Sequence, residues 1–324
     1  MQSSCVKLYR NPVALSTQKQ PHEIGTACTT QQGPLGIQAR DHGQCAGLAC
    51  LAAGNGGGAG GGLAVAGAGV GRRIAVVTLE NLTVSYRQHP ALHHISGRFD
   101  TGSLTAVIGP NGSGKSTLLK TIMGLMQPAG GTLTVDTPRR RIAYLPQQAE
   151  IDRSFPMVVR DCVMLGAWSA VSAWRRVDTG LLERVSSAIH AVGLEGFEHR
   201  AVGSLSSGQF QRVLFARMLV QDADLILLDE PFNAIDSRTT DALLAVVHQW
   251  HDQGRTVLAV LHDDAQVQTH FPQTLLLARE LVAWGHTDQV LTATHLQRAR
   301  ALAEAWDDQA EICHTDETVV TGPA

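Results

Sequence analysis

The string Gly109-Pro110-Asn111-Gly112-Ser113-Gly114-Lys115-Ser116-Thr117 constrains this chain more than any other stretch. It lies between an apolar run, residues 104–108, and a helical pattern, residues 116–126. Strand, then G-x-x-x-x-G-K-S/T, then helix is the P-loop arrangement of an α/β sheet. Its glycines let the backbone wrap closely around phosphate oxygens, with successive N–H groups turned inward as an anion nest. The N-terminus of the following helix adds partial positive charge. Lys115 is expected to reach the β- and γ-phosphates of a nucleotide, and Ser116 to offer its hydroxyl to Mg²⁺.

A P-loop alone leaves many activities open, so the remaining residues decide. Residues 225–228, all Leu or Ile, run into Asp229-Glu230. They read as a buried parallel strand ending in two carboxylates. Strand ends in such sheets face the ligand crevice. There Asp229 suits Mg²⁺ coordination, direct or through water, and Glu230 suits polarising an attacking water. His262 follows another buried run, residues 256–261, at the same kind of strand end. Gln147, after Tyr144-Leu145-Pro146, carries an uncharged side chain that can touch Mg²⁺ or water without fixing a charge there. Tyr86 ends an alternating run with Leu82 and Val84, which suits either a packed edge-strand aromatic or a stacking surface. Leu205-Ser206-Ser207-Gly208-Gln209 precedes the helical run 210–220, so the N–H groups of Ser206 and Gly208 form a second anion site.

Taken in order, these residues resemble the ATP-binding-cassette (ABC) ATPases, across residues 74 to about 290. The resemblance implies an α/β fold: a P-loop ABC ATPase with a RecA-like core sheet, an antiparallel β subdomain and a helical subdomain at about 157–220. It implies that Tyr86 stacks on adenine and that the stretch from Gly109 to Thr117 cradles ATP. Glu230, His262, Gln147 and Lys115 become catalytic, His262 holding the γ-phosphate and water, with Ser116, Gln147 and Asp229 around the Mg²⁺ of MgATP. Residues 205–209 match the family's LSGGQ signature and Asn233-Ala234-Ile235-Asp236 its D-loop. In the family two copies pair head to tail, so this signature loop closes on the partner's ATP. Ser207 departs from the usual glycine. A serine follows the same path unless φ is positive, where losing glycine costs about 1 kcal/mol. Asn233 departs too, from the small residues common there.

Composition divides the chain near residue 73. Of 15 aromatics only Tyr9 precedes it, and glycine runs fill residues 54–62. Such a segment buries too little apolar area to offset its ordering entropy, so residues 1–73 are expected to be a disordered Gly-rich extension. Residues 46–70 lack charge but hold ten glycines, which argues against a membrane span. No Met lies between Met1 and Met123, while Val65, Val70, Val76 and Val77 offer non-AUG starts. Arginines number 22 against four lysines, a bias expected of a GC-rich genome, so native translation is expected to begin near residues 65–77. Cys5, Cys28, Cys45 and Cys50 fall in that extension; Cys162 and Cys313 remain, which suits a reducing cytosol. The extension carries six basic and two acidic residues, so the rest of the chain is −7 (−3 minus +4), with no basic stripe and no expectation of nucleic acid.

Antiparallel strands are expected at 74–86 and 92–99, core strands at 104–108, 141–145, 225–228 and 256–261, and short strands at 274–278 and 281–284. Helices are expected at 158–167 and 179–192, with a helical, acidic tail at 291–324. Asp152-Arg153-Ser154-Phe155-Pro156-Met157-Val158-Val159-Arg160-Asp161-Cys162-Val163 is similar to the stretch after the Q-loop in zinc and manganese importer ATPases, where it forms the groove for the permease. Phe155, Met157 and Val163 are equally compatible with a plain core. The resemblance implies the ATP-hydrolysing subunit of a zinc- or manganese-type importer, zinc preferred. Its partners are a second copy, integral membrane permeases and, indirectly, an extracytoplasmic metal-binding protein, at the cytoplasmic face of the membrane. Importers of iron chelates or cobalamin, and non-transport ABC machines, stay open as alternatives. His89, His93, His94 and the pair Cys313-His314 read as solvated surface, with His93 and His94 on opposite faces of a strand.

Overall fold

A computed structural model describes residues 75–86, 89–147, 151–168, 178–233 and 235–305. The expectations for residues 1–73, for Cys313-His314 and for most of the acidic tail lie outside them. Strands β1 (Ala75–Tyr86) and β2 (His89–Asp100) pair antiparallel, as their alternation predicts. A strand absent from the sequence reading, β4 (Gly130–Val135), joins the other edge of β1 to complete a three-stranded sheet. Its side chains are all exposed or half-buried, so no apolar period marks it; pairing with β1 makes it a strand.

The larger sheet contains β3 (Leu104–Ile108), β5 (Ile142–Leu145), β6 (Leu225–Asp229), β7 (Thr256–Val260), β8 (Gln273–Ala278) and β9 (Glu280–His286). Their order is β5-β6-β7-β3-β8-β9, parallel except that β9 returns antiparallel to β8. Every residue of β3, β6 and β7 is buried, as in sheets covered on both faces. Alternation divides them between two cores. Val107, Leu227, Leu258 and Val260 pack with Val77, Leu82 and Phe99 of the small sheet. Ala106, Ile226, Leu228 and Ala259 pack with the helices on the other side.

Helix α1 (Lys115–Ile122) follows β3. Then α2 (Val159–Met164), α3 (Thr179–Ala191) and α4 (Ser207–Gln221) pack on one another. The helix expected at 158–167 tightens after Met164 into a 3₁₀ turn, Leu165–Ala167. Helices α5 (Ser237–Asp252), α6 (Asp264–His270), α7 (Thr287–Val290) and α8 (Ala293–Glu304) complete the fold. Among the described residues, no helix is long and apolar enough to cross a membrane.

Register positions the functional residues. Val107 of β3 lies opposite Val260 of β7, and Val260 lies opposite Asp229 of β6. Three strands therefore finish level, delivering Gly109, Glu230 and His262 to one edge of the sheet. The histidine expectation fails. His94 takes a left-handed φ of 52°, and the pairing of β1 with β2 shifts register beside it. The two rings then meet edge to face at 4.0 Å instead of pointing apart. His93 is 1% exposed, with Nδ1 3.1 Å from Glu280 Oε1, so it is core and not solvated surface.

Candidate active site

The P-loop backbone needs its glycines for contact as well as for conformation. A Cβ on Gly109 (φ 147°) would stand 2.0 Å from the Leu277 carbonyl oxygen, and one on Gly114 (φ 93°) 2.4 Å from that of Ala91. Gly114 is also the N-cap of α1, so Lys115 and Ser116 open the helix. Lys115 is almost wholly buried, and its Nζ donates to the carbonyls of Gly109 (2.8 Å) and Pro110 (2.9 Å). Burial pushes its ammonium below the usual lysine value, and the nearby Glu230 and Asp229 carboxylates pull it back up.

Ser116 Oγ donates to Asp229 Oδ1 at 2.9 Å, and Gln147 Nε2 lies 3.4 Å from the same Oγ. Tyr144 Oη stands 3.4 Å from the other oxygen of Asp229, which is 1% exposed. Asp229 and Gln147 meet at the Ser116 hydroxyl, and the oxygens that these three side chains carry fit a hard divalent cation such as Mg²⁺. Ser113 Oγ is buried with no hydrogen-bond partner among the described residues, which fits an oxygen-rich anion entering the loop. Glu230 holds a left-handed φ of 52°. Its Oε1 lies 2.7 Å from His262 Nε2, and its Oε2 accepts from the Asn233 amide. The carboxylate is thus braced on both oxygens at the strand end.

A cavity of about 670 Å³ joins these groups, lined by Tyr86, residues 111–117, Gln147 and Glu230, within the usual range for a small-molecule site. Tyr86 stands at its edge, 48% exposed, a placement open to stacking. His262 does not line it; that residue borders a neighbouring cavity of about 500 Å³, with Glu230 and Asn233. Sequence reasoning missed several lining or bracing residues, Pro90 and Ala91 among them. His89 and Arg279 line the cavity, and Tyr144 approaches Asp229. Arg279 sits in the β8–β9 turn, far from every motif in sequence, with a left-handed φ of 62°, a backbone bond to Ser113 O and a side-chain bond to Pro90 O. Tyr144 stood beside the Q-loop glutamine but carried no spacing of its own.

The signature loop is elsewhere. Ser206 caps α4 by accepting from Gln209 N, and Gln209 Oε1 accepts from Ser206 N, a reciprocal capping box. Leu205 is buried behind it. Ser207 is the first residue of α4 and is absent from the left-handed set, so the cost attached to losing glycine does not arise. A Cβ on Gly208 would meet nothing closer than 3.6 Å, so packing within the chain does not demand glycine there. The loop lines a cavity of about 360 Å³ with Asp236 and Thr239, and none of the P-loop residues lines it. Asp236 caps α5, and the hydrogen bonds from Thr239, backbone first, hold its carboxyl below the usual range. In the segment after Gln147, Val163 is fully buried and belongs to the core, so it cannot line a groove. Met157 is half-buried, whereas Phe155 is 64% exposed.

A family model for ABC transporters matches residues 92–233. A "Probable metal transport system ATP-binding protein" of Chlamydia pneumoniae is 41% identical over 66% of this chain and 85% of its own length. The zinc transport system ATP-binding protein TroB of Treponema pallidum is 40% identical, covering 69% and 86%. The manganese transport system ATP-binding protein MntB of Halalkalibacterium halodurans is 38% identical, covering 67% and 88%. The ADP conformation of an ATP-binding cassette of an ABC transporter superposes with a TM-score of 0.61, at 21% identity, over 70% of this chain and 98% of that one. The chain belongs to the ABC transporter ATP-binding family and is an ATPase.

Proposed function

We propose that this ATPase powers uptake of a transition metal, zinc ahead of manganese, from the cytoplasmic face of the membrane. The support for metal is the likeness to relatives named for zinc and for manganese, at 40% and 38% identity. The observation that carries ATP hydrolysis at this site is the meeting of the Ser116–Asp229 and Glu230–His262 pairs at level strand ends beside Lys115. Lys115 and the loop from Gly109 to Thr117 bind and orient the phosphates, with Tyr86 stacked on adenine. Ser116, Gln147 and Asp229 would hold Mg²⁺, which when bound would supply positive charge to offset that of the phosphates. Glu230 Oε1 accepts a proton from water as its oxygen attacks the γ-phosphorus in line, and the bond to the ADP oxygen breaks. His262 Nε2 orients that water and the γ-phosphate.

Two copies pair head to tail in this reading, each placing its Leu205 to Gln209 loop on the other's ATP. Integral membrane permeases dock near the exposed Phe155, and an extracytoplasmic metal-binding protein delivers cargo to them. Nucleic acid has no place in the scheme. The test is growth of a strain carrying Glu230→Gln in chelated medium with zinc, manganese or iron restored singly. Rescue by zinc alone supports the assignment. Rescue by manganese or iron alone overturns the choice of metal, and growth equal to wild type without added metal overturns the metal reading.

A further inference from the structure

Between the segment that follows Gln147 and residues 198–202, just ahead of the signature loop, runs a ladder of contacts. Arg160 N donates to Glu198 O (2.9 Å), Val159 N to Arg200 O (3.0 Å) and Val202 N to Met157 O (2.8 Å), and Val158 bridges Ala201 antiparallel. The ladder is closed at its signature end by one side chain. Arg153 Nη2 donates to the Leu205 carbonyl, and its guanidinium stands 4.6 Å over the Phe210 ring of α4. Leu205 immediately precedes Ser206, the cap of α4. Arg153 lies six residues (153 − 147) beyond Gln147, whose amide reaches Ser116 in the nucleotide cavity. A planar guanidinium can stack on a ring and donate in its plane at once, which a lysine ammonium does not do.

We infer that Arg153 is a positioning residue that fixes the signature loop to the segment following Gln147. Through it, nucleotide bound in one copy sets the angle at which that copy's Ser206 loop meets the ATP of the partner. The inference rests on the head-to-tail pairing proposed above. A purely structural arginine would lower stability and turnover together. A positioning arginine changes turnover and pairing while leaving nucleotide affinity at the P-loop alone.

The experiment uses the full chain with Arg153→Met, which keeps an unbranched apolar stem over Phe210 but removes the fork, and with Arg153→Lys. Melting temperature, binding of a fluorescent ATP analogue, kcat and KM are measured for each. ATP-driven dimerisation is followed by sedimentation in the Glu230→Gln background. Expected for Arg153→Met are an unchanged melting temperature and analogue affinity, kcat lower by about tenfold, KM held, and a dimerisation constant weakened by about tenfold, the scale of one charge-assisted hydrogen bond. Arg153→Lys recovers part of the loss. Unchanged kcat and dimerisation in Arg153→Met overturn the inference, as does a kcat loss that tracks a fall in melting temperature. A Glu230→Gln chain that stays monomeric with ATP overturns the head-to-tail reading and this inference with it. One that dimerises equally with and without Arg153→Met overturns this inference alone.

Discussion

Ser116 with Asp229, and Glu230 with His262, are hydrogen-bonded pairs within one chain, the last three at or just beyond the ends of buried strands and Ser116 in the first turn of α1. The loop from Leu205 to Gln209 is organised by a capping box, and keeps a glycine that no contact among the described residues requires. The first region is preorganised by sheet register, which is costly to disturb. The second includes a helix cap and the bond from Arg153 to the Leu205 carbonyl, at a surface that suits meeting something and parting from it. Binding and chemistry are therefore expected to separate by mutation along this line.

Four measurements break or sharpen that contrast. The largest effect belongs to Glu230→Gln, which should lower phosphate release by about 10²–10⁴-fold while ATP binding persists; turnover at the wild-type rate would remove Glu230 as base. Next, Ser206→Ala removes the α4 cap, costing about 1 kcal/mol of stability. Its turnover should fall about tenfold with analogue affinity unchanged, because an N-terminal donor site is disturbed and the P-loop is not. A parallel fall in nucleotide affinity would show the two regions to be one. Ser207→Gly should change kcat by less than about twofold, since the residue already occupies ordinary helical backbone; a large gain would mean the loop changes conformation on closure.

The smallest effect is a pH slope outside both regions. His248 Nε2 of α5 lies 3.2 Å from His270 Nδ1 of α6. Burial, then the His270 ring, then His251 hold His248 below its ordinary 6.5, against the pull of Asp252. The folded chain thus favours the neutral ring, and the unfolded chain binds more protons in that window. This contribution is whole above 6.5 and is lost as pH falls through 6.5 toward the lower folded value. The ring is half-buried and partly reached by solvent, so the slope is shallow. Melting curves between about pH 8 and pH 5.5 should slope less in His248→Gln than in wild type, within the range where histidine titrates.

The nucleotide region was far more legible in the sequence than the signature region. Leu225 to Leu228 announces a doubly buried strand by composition alone, and Asp229 and Glu230 then fall at its end by counting. Glycines 109 and 114 declare a loop that only close backbone contact explains. By contrast, β4 carries no apolar period because pairing with its one neighbour, β1, and not burial, defines it. Val163 and Phe155 look alike in the sequence, yet Val163 is core on the six-residue helix α2 and Phe155 is exposed in the loop before it, and neither a helix so short nor a loop carries a period that tells them apart. Arg153 and Arg279 act across 52 and 166 residues (205 − 153, 279 − 113), and no local pattern encodes a partner that distant. His94 escaped because its left-handed turn depends on the bulged pairing of β1 with β2.

The level finish of β3, β6 and β7 has a consequence for engineering this chain. One residue added within any of the three advances its far end by about 3.3 Å and turns every later side chain to the opposite face. Insertions inside these five-residue strands should therefore abolish hydrolysis even where the chain still folds. The turn before β7 is at the other edge of the sheet. There Gly254 is exposed, at φ 77° with open space where a Cβ would stand. A reporter domain or affinity loop grafted at that turn would leave the strand ends in step, and with them the ATPase.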